Sequence, residues 1–207
     1  MLSSGMVSDQ IWDDIRPRGS SIPASLAIIA LCIIVSIAMA VNPWAVRGYL
    51  SLNPALVESR PWTLVTHIFV HADIGHLFWN MLALFFFGTE LERRVGERNF
   101  LLIFFASGIF GGIIEMLVAT GYMMGASGAI MGVMGALAII APEIRVIIFP
   151  IPIPIGIPLA IALLAFLDLY YQISLRGADG IGHMAHLAGL LAGLFFGQSF
   201  GRRRRYY

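Results

Sequence analysis

Six apolar segments constrain the fold of this sequence more than any other feature. They cover about residues 22–41, 74–91, 100–120, 126–141, 158–173 and 183–200. Most are long enough for a helix to cross the roughly 30 Å hydrocarbon core of a bilayer, and 126–141 is the shortest. With 58% hydrophobic and 12% charged residues, the chain lacks the balance of a soluble domain. The sequence therefore predicts an all-α fold class, a polytopic membrane helix bundle with six transmembrane helices.

The arginine distribution predicts how the bundle is oriented. All thirteen basic residues are arginines; ten lie near the termini or the even-numbered turns, against Arg47, Arg60 and Arg176 on the other side. Positive charge concentrates on the cytoplasmic side of membrane proteins, so we expect both termini in the cytoplasm. We expect a multi-pass protein of a prokaryotic cell membrane, with a short cytoplasmic segment at 1–21, a membrane domain at 22–200 and a basic cytoplasmic tail at 201–207. That tail favours contact with anionic lipid over nucleic acid.

Three polar residues share one predicted depth in the bundle. His76, Ser127 and His186 each lie sixteen positions before a charged residue near the opposite end of their segments, which is about 24 Å of helix. All three therefore fall a few ångströms below the outer membrane surface. Polar groups are costly in lipid, so a cluster at one depth indicates a functional site.

Ser127 is the candidate nucleophile. It lies in Gly125-Ala126-Ser127-Gly128, which opens the fourth segment. A serine at a helix start is also a common N-cap, and that alternative stays open here. The flanking glycines allow close backbone approach, and free N–H groups at a helix start can stabilise an oxyanion.

His186 is the better general base for Ser127, because it matches the serine in depth. His183 lies about 4.5 Å nearer the outer surface and is expected to border water. Small residues on both helices predict that the fourth and sixth segments pack closely enough to bring His186 to Ser127. These packing residues are Gly128, Gly132, Gly189 and Gly193.

His76 and Asn80 lie four residues apart, on one face of the second segment. Both can donate hydrogen bonds, and with the Ser127 amide they could form an oxyanion hole. Asn80 could instead join helices by hydrogen bonds. His67 and His71 precede the second segment. We expect them to pin the outer loop, which is the connection between the first and second segments.

Two acids, Glu115 and Asp168, lie inside predicted segments. A structural hydrogen bond or ion pair is the favoured role for each. Asp168 is placed deeper than the serine layer, and no carboxylate is placed to orient His186.

These residues, in this order, resemble the rhomboid family of intramembrane serine proteases. The resemblance runs from Trp62 to Gly193 and implies a Ser127/His186 dyad without an acid, with His76, Asn80 and the Ser127 amide holding the oxyanion. It also implies substrates that are transmembrane proteins, single-pass or polytopic, cut near the outer membrane surface, and no cofactor. The resemblance further implies structural roles, in the outer loop or around the site, for His67, His71, Trp62, Glu92, Arg94 and Met131.

Two positions depart from the family pattern. Many members carry an aromatic residue one turn after the serine, stacked under the catalytic histidine, and this chain has Met131 there. A thioether packs against imidazole but orients the ring less firmly. The Trp-Arg pair common in the outer loop is Trp62-Thr63 here.

An intramembrane serine endopeptidase is the leading functional hypothesis. Five histidines keep a histidine-ligated membrane metalloprotein as an alternative, although no His-Glu-x-x-His motif is present. A catalytically silent relative that binds transmembrane clients is the third. The sequence does not indicate an oligomeric state.

Overall fold

Helices form nearly all of the regular structure in the computed structural model, which describes residues 22–147, 152–175 and 178–203. The helices are α1 (Ala24–Val41), α2 (Pro43–Leu50), α3 (Thr63–Thr66), α4 (Ile74–Ala83), α5 (Thr89–Val95), α6 (Glu97–Glu115), α7 (Ser127–Ile140), α8 (Ile157–Leu175) and α9 (His183–Arg203). A 3-10 turn, His67–Phe69, follows α3, and a π-helical stretch, Leu84–Gly88, joins α4 to α5. Strands β1 (Arg145–Val146) and β2 (Ile155–Gly156) pair antiparallel.

Four of the described helical segments are long and apolar enough to cross a membrane. They are Ala24–Val41, Ile74–Val95, Glu97–Glu115 and Ile157–Leu175. Helix α7 is shorter, with 14 residues, and α9 has 21. The predicted all-helical membrane bundle is confirmed, and the number of six transmembrane helices stays a prediction.

Several predicted boundaries move by a few residues. Helix α6 ends at Glu115, earlier than the predicted 120, and the chain then bends so that Met123 pairs with Leu52. Helix α9 continues to Arg203, beyond the predicted start of the tail at 201. The predicted 1–21 segment lies outside the described residues, and so does Pro150 in the proline-rich connection between α7 and α8.

Helix α7 is the central helix of the bundle. Every residue from 128 to 138 is buried, and α7 packs against α6, α8 and α9. Large apolar side chains of α6, among them Phe100 and Phe104, are fully buried in the same core. Ser127, at the start of α7, is half-buried at the edge of this core.

Polar contacts fix the end of the bundle that is opposite Ser127. The Glu92 carboxylate accepts the backbone N–H groups of Ala24 and Ser25, at 2.7 and 2.9 Å, and so caps α1. Arg94 Nη2 lies 3.1 Å from the carboxylate of Glu143, which follows α7. Both residues that the family resemblance marks at this end, Glu92 and Arg94, thus join neighbouring helices.

Candidate active site

Ser127 and His186 are in hydrogen-bond contact. Ser127 Oγ lies 2.7 Å from His186 Nε2, across 59 positions of sequence. Ser127 is the first residue of α7, and the preceding residue, Ala126, makes no side-chain cap. The hydroxyl therefore contacts the imidazole of α9, and the N-cap alternative for Ser127 is wrong.

Glycine pairs bring α7 and α9 together at this point. A Cβ on Gly189 would lie 2.0 Å from Gly128 O, and one on Gly193 would lie 1.9 Å from Gly132 O. Real Cβ atoms essentially never come within 3.0 Å of another heavy atom, so only glycine permits this backbone approach. The predicted packing residues therefore face one another across the helix pair that carries Ser127 and His186.

Gly125 turns the chain into α7 beside His76. Its φ is 126°, a conformation that other residues rarely adopt, and a Cβ there would lie 2.7 Å from His76 Nε2. The Gly125 amide donates to His67 O at 2.9 Å, which ties this turn to the outer loop. The motif glycine is thus required for the approach of His76 to the start of α7.

His76 and Asn80 lie with Ser127 and His186 in the wall of one cavity of about 820 Å³. His76 Nδ1 faces the Ala72 amide at 3.5 Å, so a neutral ring carries its hydrogen on Nε2. Asn80 is buried, and its amide nitrogen donates to His76 O within the same helix at 2.8 Å. Its second N–H hydrogen remains for a ligand. The hydrogen bond described for Asn80 is therefore not the predicted alternative link between helices.

His67 and His71 lie outside the spanning helices and hold the loop before α4. His67 Nδ1 donates to Thr63 O at 2.9 Å, and His71 Nδ1 donates more weakly to Phe69 O at 3.3 Å. Burial lowers the pKa of each histidine from 6.5 to about 4, so both are neutral at pH 7. The nearby His76 lowers the pKa of His71 further. Hydrogen-bonded, uncharged rings agree with the predicted loop-pinning role.

Asp168 and His183 contradict two expectations from the sequence. Asp168 Oδ1 lies 3.0 Å from His186 Nδ1 and 2.7 Å from His183 Nδ1. His183 is 2% exposed, and its Nε2 lies 2.9 Å from Asp179 Oδ2. The expectation that no carboxylate reaches His186 is wrong, and so is the expectation that His183 borders water.

Glu115 explains why α9 begins inside the bundle. Its buried carboxylate accepts the backbone N–H of Ala185 at 2.9 Å and so caps the first turn of α9. A carboxylate at this end also complements the helix dipole. The predicted structural hydrogen bond of Glu115 is confirmed. The start of α9 that it caps is buried, and His183 there contacts Asp168 of α8.

Asp168, His183 and His186 are the described residues best placed to hold a metal ion, since one ligand atom from each lies within 4.8 Å of the others. Zinc ligands in a tetrahedral site lie roughly 3.3 Å apart, because each is about 2.0–2.1 Å from the ion. The separations from Asp168 Oδ1 to the two Nδ1 atoms, 2.7 and 3.0 Å, are shorter than that. They are normal for hydrogen bonds, and this spacing fits a hydrogen-bonded network better than a zinc site.

A match to a known protein family covers the part of the chain that carries the site. Residues 58–203 match the family model described as the Rhomboid domain, a range that includes every side chain of the site. The chain belongs to the rhomboid family. It is similar to the rhomboid protease GluP of Bacillus subtilis, with 34% identity over 72% of this chain and 28% of the relative.

Two further rhomboid relatives are a mitochondrial protein and a bacterial protein. Rhomboid protein 1 of Saccharomyces cerevisiae is 31% identical over 73% of this chain and 45% of its own length. The rhomboid protease GlpG of Yersinia pseudotuberculosis is 27% identical over 86% of this chain and 62% of its own length. This rhomboid chain therefore spans less than two thirds of each of these relatives.

Both departures from the family pattern can be located. Met131, one turn after Ser127, is buried in the core. Thr63 Oγ1 donates to Arg60 O at 2.7 Å, while the Arg60 guanidinium lies 4.7 Å above the Tyr49 ring. Trp62 Nε1 donates to Tyr49 O at 2.8 Å. The sequence did not predict that Arg60, three positions before Thr63, holds the outer loop.

Proposed function

We propose that this rhomboid protein is an intramembrane serine endopeptidase that uses Ser127 as nucleophile and His186 as general base. The observation that carries the proposal is the 2.7 Å contact between Ser127 Oγ and His186 Nε2 in the wall of the cavity that His76 and Asn80 also line. A serine hydroxyl is a weak nucleophile until a base accepts its proton. The named proteases among its relatives support the same reaction.

The proposed reaction is acyl transfer. Ser127 Oγ attacks the scissile carbonyl carbon while His186 Nε2 takes the hydroxyl proton. His76, Asn80 and the Ser127 amide donate to the oxyanion. The C–N bond then breaks as His186 returns the proton to the leaving amine. A water molecule, activated by His186, hydrolyses the acyl-enzyme and restores the serine.

The proposed substrates are transmembrane proteins, cut near the outer membrane surface. A helical peptide bond is shielded by its own hydrogen bonds, so a substrate helix must unwind locally before attack. Small or helix-breaking residues are therefore expected around the cleaved bond. The cavity that contains Ser127 is also lined by the connection 118–125 and by 179–182, between helices, which gives such a segment a place to enter.

Cleavage of a test transmembrane substrate by the purified protein tests this function. Ser127→Ala and His186→Ala should each abolish cleavage, and the double variant should be no worse, because the pair acts as a unit. Ser199→Ala, at an exposed serine of α9, is the matched control. Wild-type rates in Ser127→Ala would overturn the proposal. Loss of activity on chelation would favour the metalloprotein, and an inactive wild type that still binds substrate would favour the silent relative.

The proposed topology places both termini in the cytoplasm and Ser127 toward the outer face. Reporter fusions to each terminus should give cytoplasmic signals. A prokaryotic origin stays a prediction, because the relatives include both bacterial and mitochondrial proteins.

A further inference from the structure

Asp168 offers one carboxylate oxygen to two histidine rings of α9. Its Oδ1 lies 2.7 Å from His183 Nδ1 and 3.0 Å from His186 Nδ1. Asp168 is buried and lies in the middle of α8, where an unpartnered carboxylate would be very costly. The contact to His186 is made on the ring nitrogen opposite Ser127, so it leaves Nε2 available to the serine.

His183 balances part of the charge in this cluster. Its two ring nitrogens each face a carboxylate, Asp168 at 2.7 Å and Asp179 at 2.9 Å. When both carboxylates are ionised they only accept hydrogen bonds, so both nitrogens then carry hydrogen and the ring is a cation. The hydrogen bond from His183 also lowers the pKa of Asp179. Tyr171 stacks on the His183 ring, with centroids 5.9 Å apart.

We infer that Asp168 is a positioning residue for His186, a third member behind the Ser127/His186 pair. A neutral imidazole carries one hydrogen, and a carboxylate that only accepts requires it to be on Nδ1. The Nε2 lone pair then faces the Ser127 hydroxyl, as a general base requires. The inference rests on the proposed function. It assigns Asp168 no contact with substrate.

The carboxylate also supports the reaction step itself. When His186 takes the serine proton it becomes a cation, and Asp168 lies against its Nδ1–H. Two carboxylates and one cationic His183 leave one negative charge in the cluster to stabilise that imidazolium. In addition, Met131 provides no aromatic ring for stacking, so a directional hydrogen bond supplies the orientation of His186 that a thioether does not.

Asp168→Asn is the test variant, because it keeps the side-chain shape and removes the charge. An amide can turn its NH₂ toward His186 Nδ1, which would place the ring hydrogen on Nε2 and disable the base. We expect the rate of Ser127 labelling by a fluorophosphonate, and kcat for substrate cleavage, to fall by about tenfold or more. KM should change less than about twofold, because Asp168 does not touch substrate.

Asp179→Asn is the matched control, since it makes the same chemical change on the other carboxylate bound to His183. It should lose clearly less labelling rate than Asp168→Asn. Equal labelling rates and kcat in wild type and Asp168→Asn, measured on proteins with the same unfolding midpoint, would overturn the inference while leaving the proposed function intact.

A nuclear magnetic resonance readout separates this inference from catalysis. With only five histidines in the chain, the imidazole N–H signals of ¹⁵N-histidine protein can be assigned. A hydrogen bond to a carboxylate moves the Nδ1–H proton strongly downfield, so His186 should show such a signal that disappears in Asp168→Asn. Its absence in wild type would overturn the inference without any variant. Its presence in a protein that cleaves nothing would support Asp168 while the proposed function failed.

Discussion

Gly189→Ala should inactivate this rhomboid protein by separating α7 from α9. Gly189 lies one turn after His186, and Gly128 directly follows Ser127. The added methyl would lie 2.0 Å from Gly128 O, whereas ordinary contacts begin at 3.4 Å. The atom is backbone, so neither helix can relieve the clash by turning a side chain.

The size of the effect follows from the difference between this 2.0 Å separation and an ordinary contact distance. The helices must separate by about 1 Å or more next to the Ser127/His186 pair, whose atoms are now 2.7 Å apart. A 1 Å misplacement of reacting groups can cost about a hundredfold in rate. Overpacking of this kind also destabilises a core by about 1–3 kcal/mol. We expect kcat to fall by about a hundredfold in protein that remains folded.

Gly197→Ala is the control on the same face of α9, about two turns farther from the site. Its methyl would meet the backbone of Ala136 and the Cβ of Ile139 at 3.0 Å, so these neighbours need to shift by only a few tenths of an ångström. Fluorophosphonate labelling and substrate cleavage should be compared in both variants, with thermal unfolding measured in detergent. Gly189→Ala with wild-type labelling would refute the claim that close backbone contact sets the serine to histidine distance.

Three other measurements follow from the described contacts. His76→Ala and Asn80→Ala should each lower kcat more than they raise KM, because a single oxyanion donor is worth about 3 kcal/mol in the transition state; a change in KM alone would indicate substrate docking instead. Glu92→Gln should lower the unfolding midpoint by the equivalent of about 1–3 kcal/mol, since an amide offers one acceptor where the carboxylate offers two, and an unchanged midpoint would contradict the capping role. Burial lowers the pKa of His67 and His71 from 6.5 to about 4. As the pH falls through this range, the unfolded chain therefore binds protons before the folded protein does. The free energy of unfolding should drop there by up to about 3 kcal/mol for each histidine. A flat unfolding midpoint across that window would contradict the assigned burial.

The sequence was sufficient to predict the contact between Ser127 and His186, because both lie near helix starts with glycine spacing that fixes their faces. Periodicity of small residues on α7 and α9 predicts which sides meet, and residue counting then places both groups at one depth. Hydropathy likewise predicts the fold class, because it is a property of each segment by itself. These are local patterns, read within one segment or one pair of segments.

Asp168 and His183 could not be placed in this way. Counting along a helix gives depth only relative to that helix's own end, and α9 begins inside the bundle because Glu115 caps it there. Helix α8 continues past Asp168 to Leu175, so its C-terminal end and the start of α9 do not lie at the same depth. The contact between Asp168 and His186 depends on how α8 and α9 pack, which no motif in either segment records.

The most direct test of the central claim is to identify the residue that a fluorophosphonate modifies. The wild-type protein, purified in detergent, should carry the phosphonyl group on Ser127 when its peptides are sequenced by mass spectrometry. His186→Ala should carry almost none, because the serine then lacks the base that accepts its proton. Label on a different residue, or undiminished label on Ser127 in His186→Ala, would contradict the account.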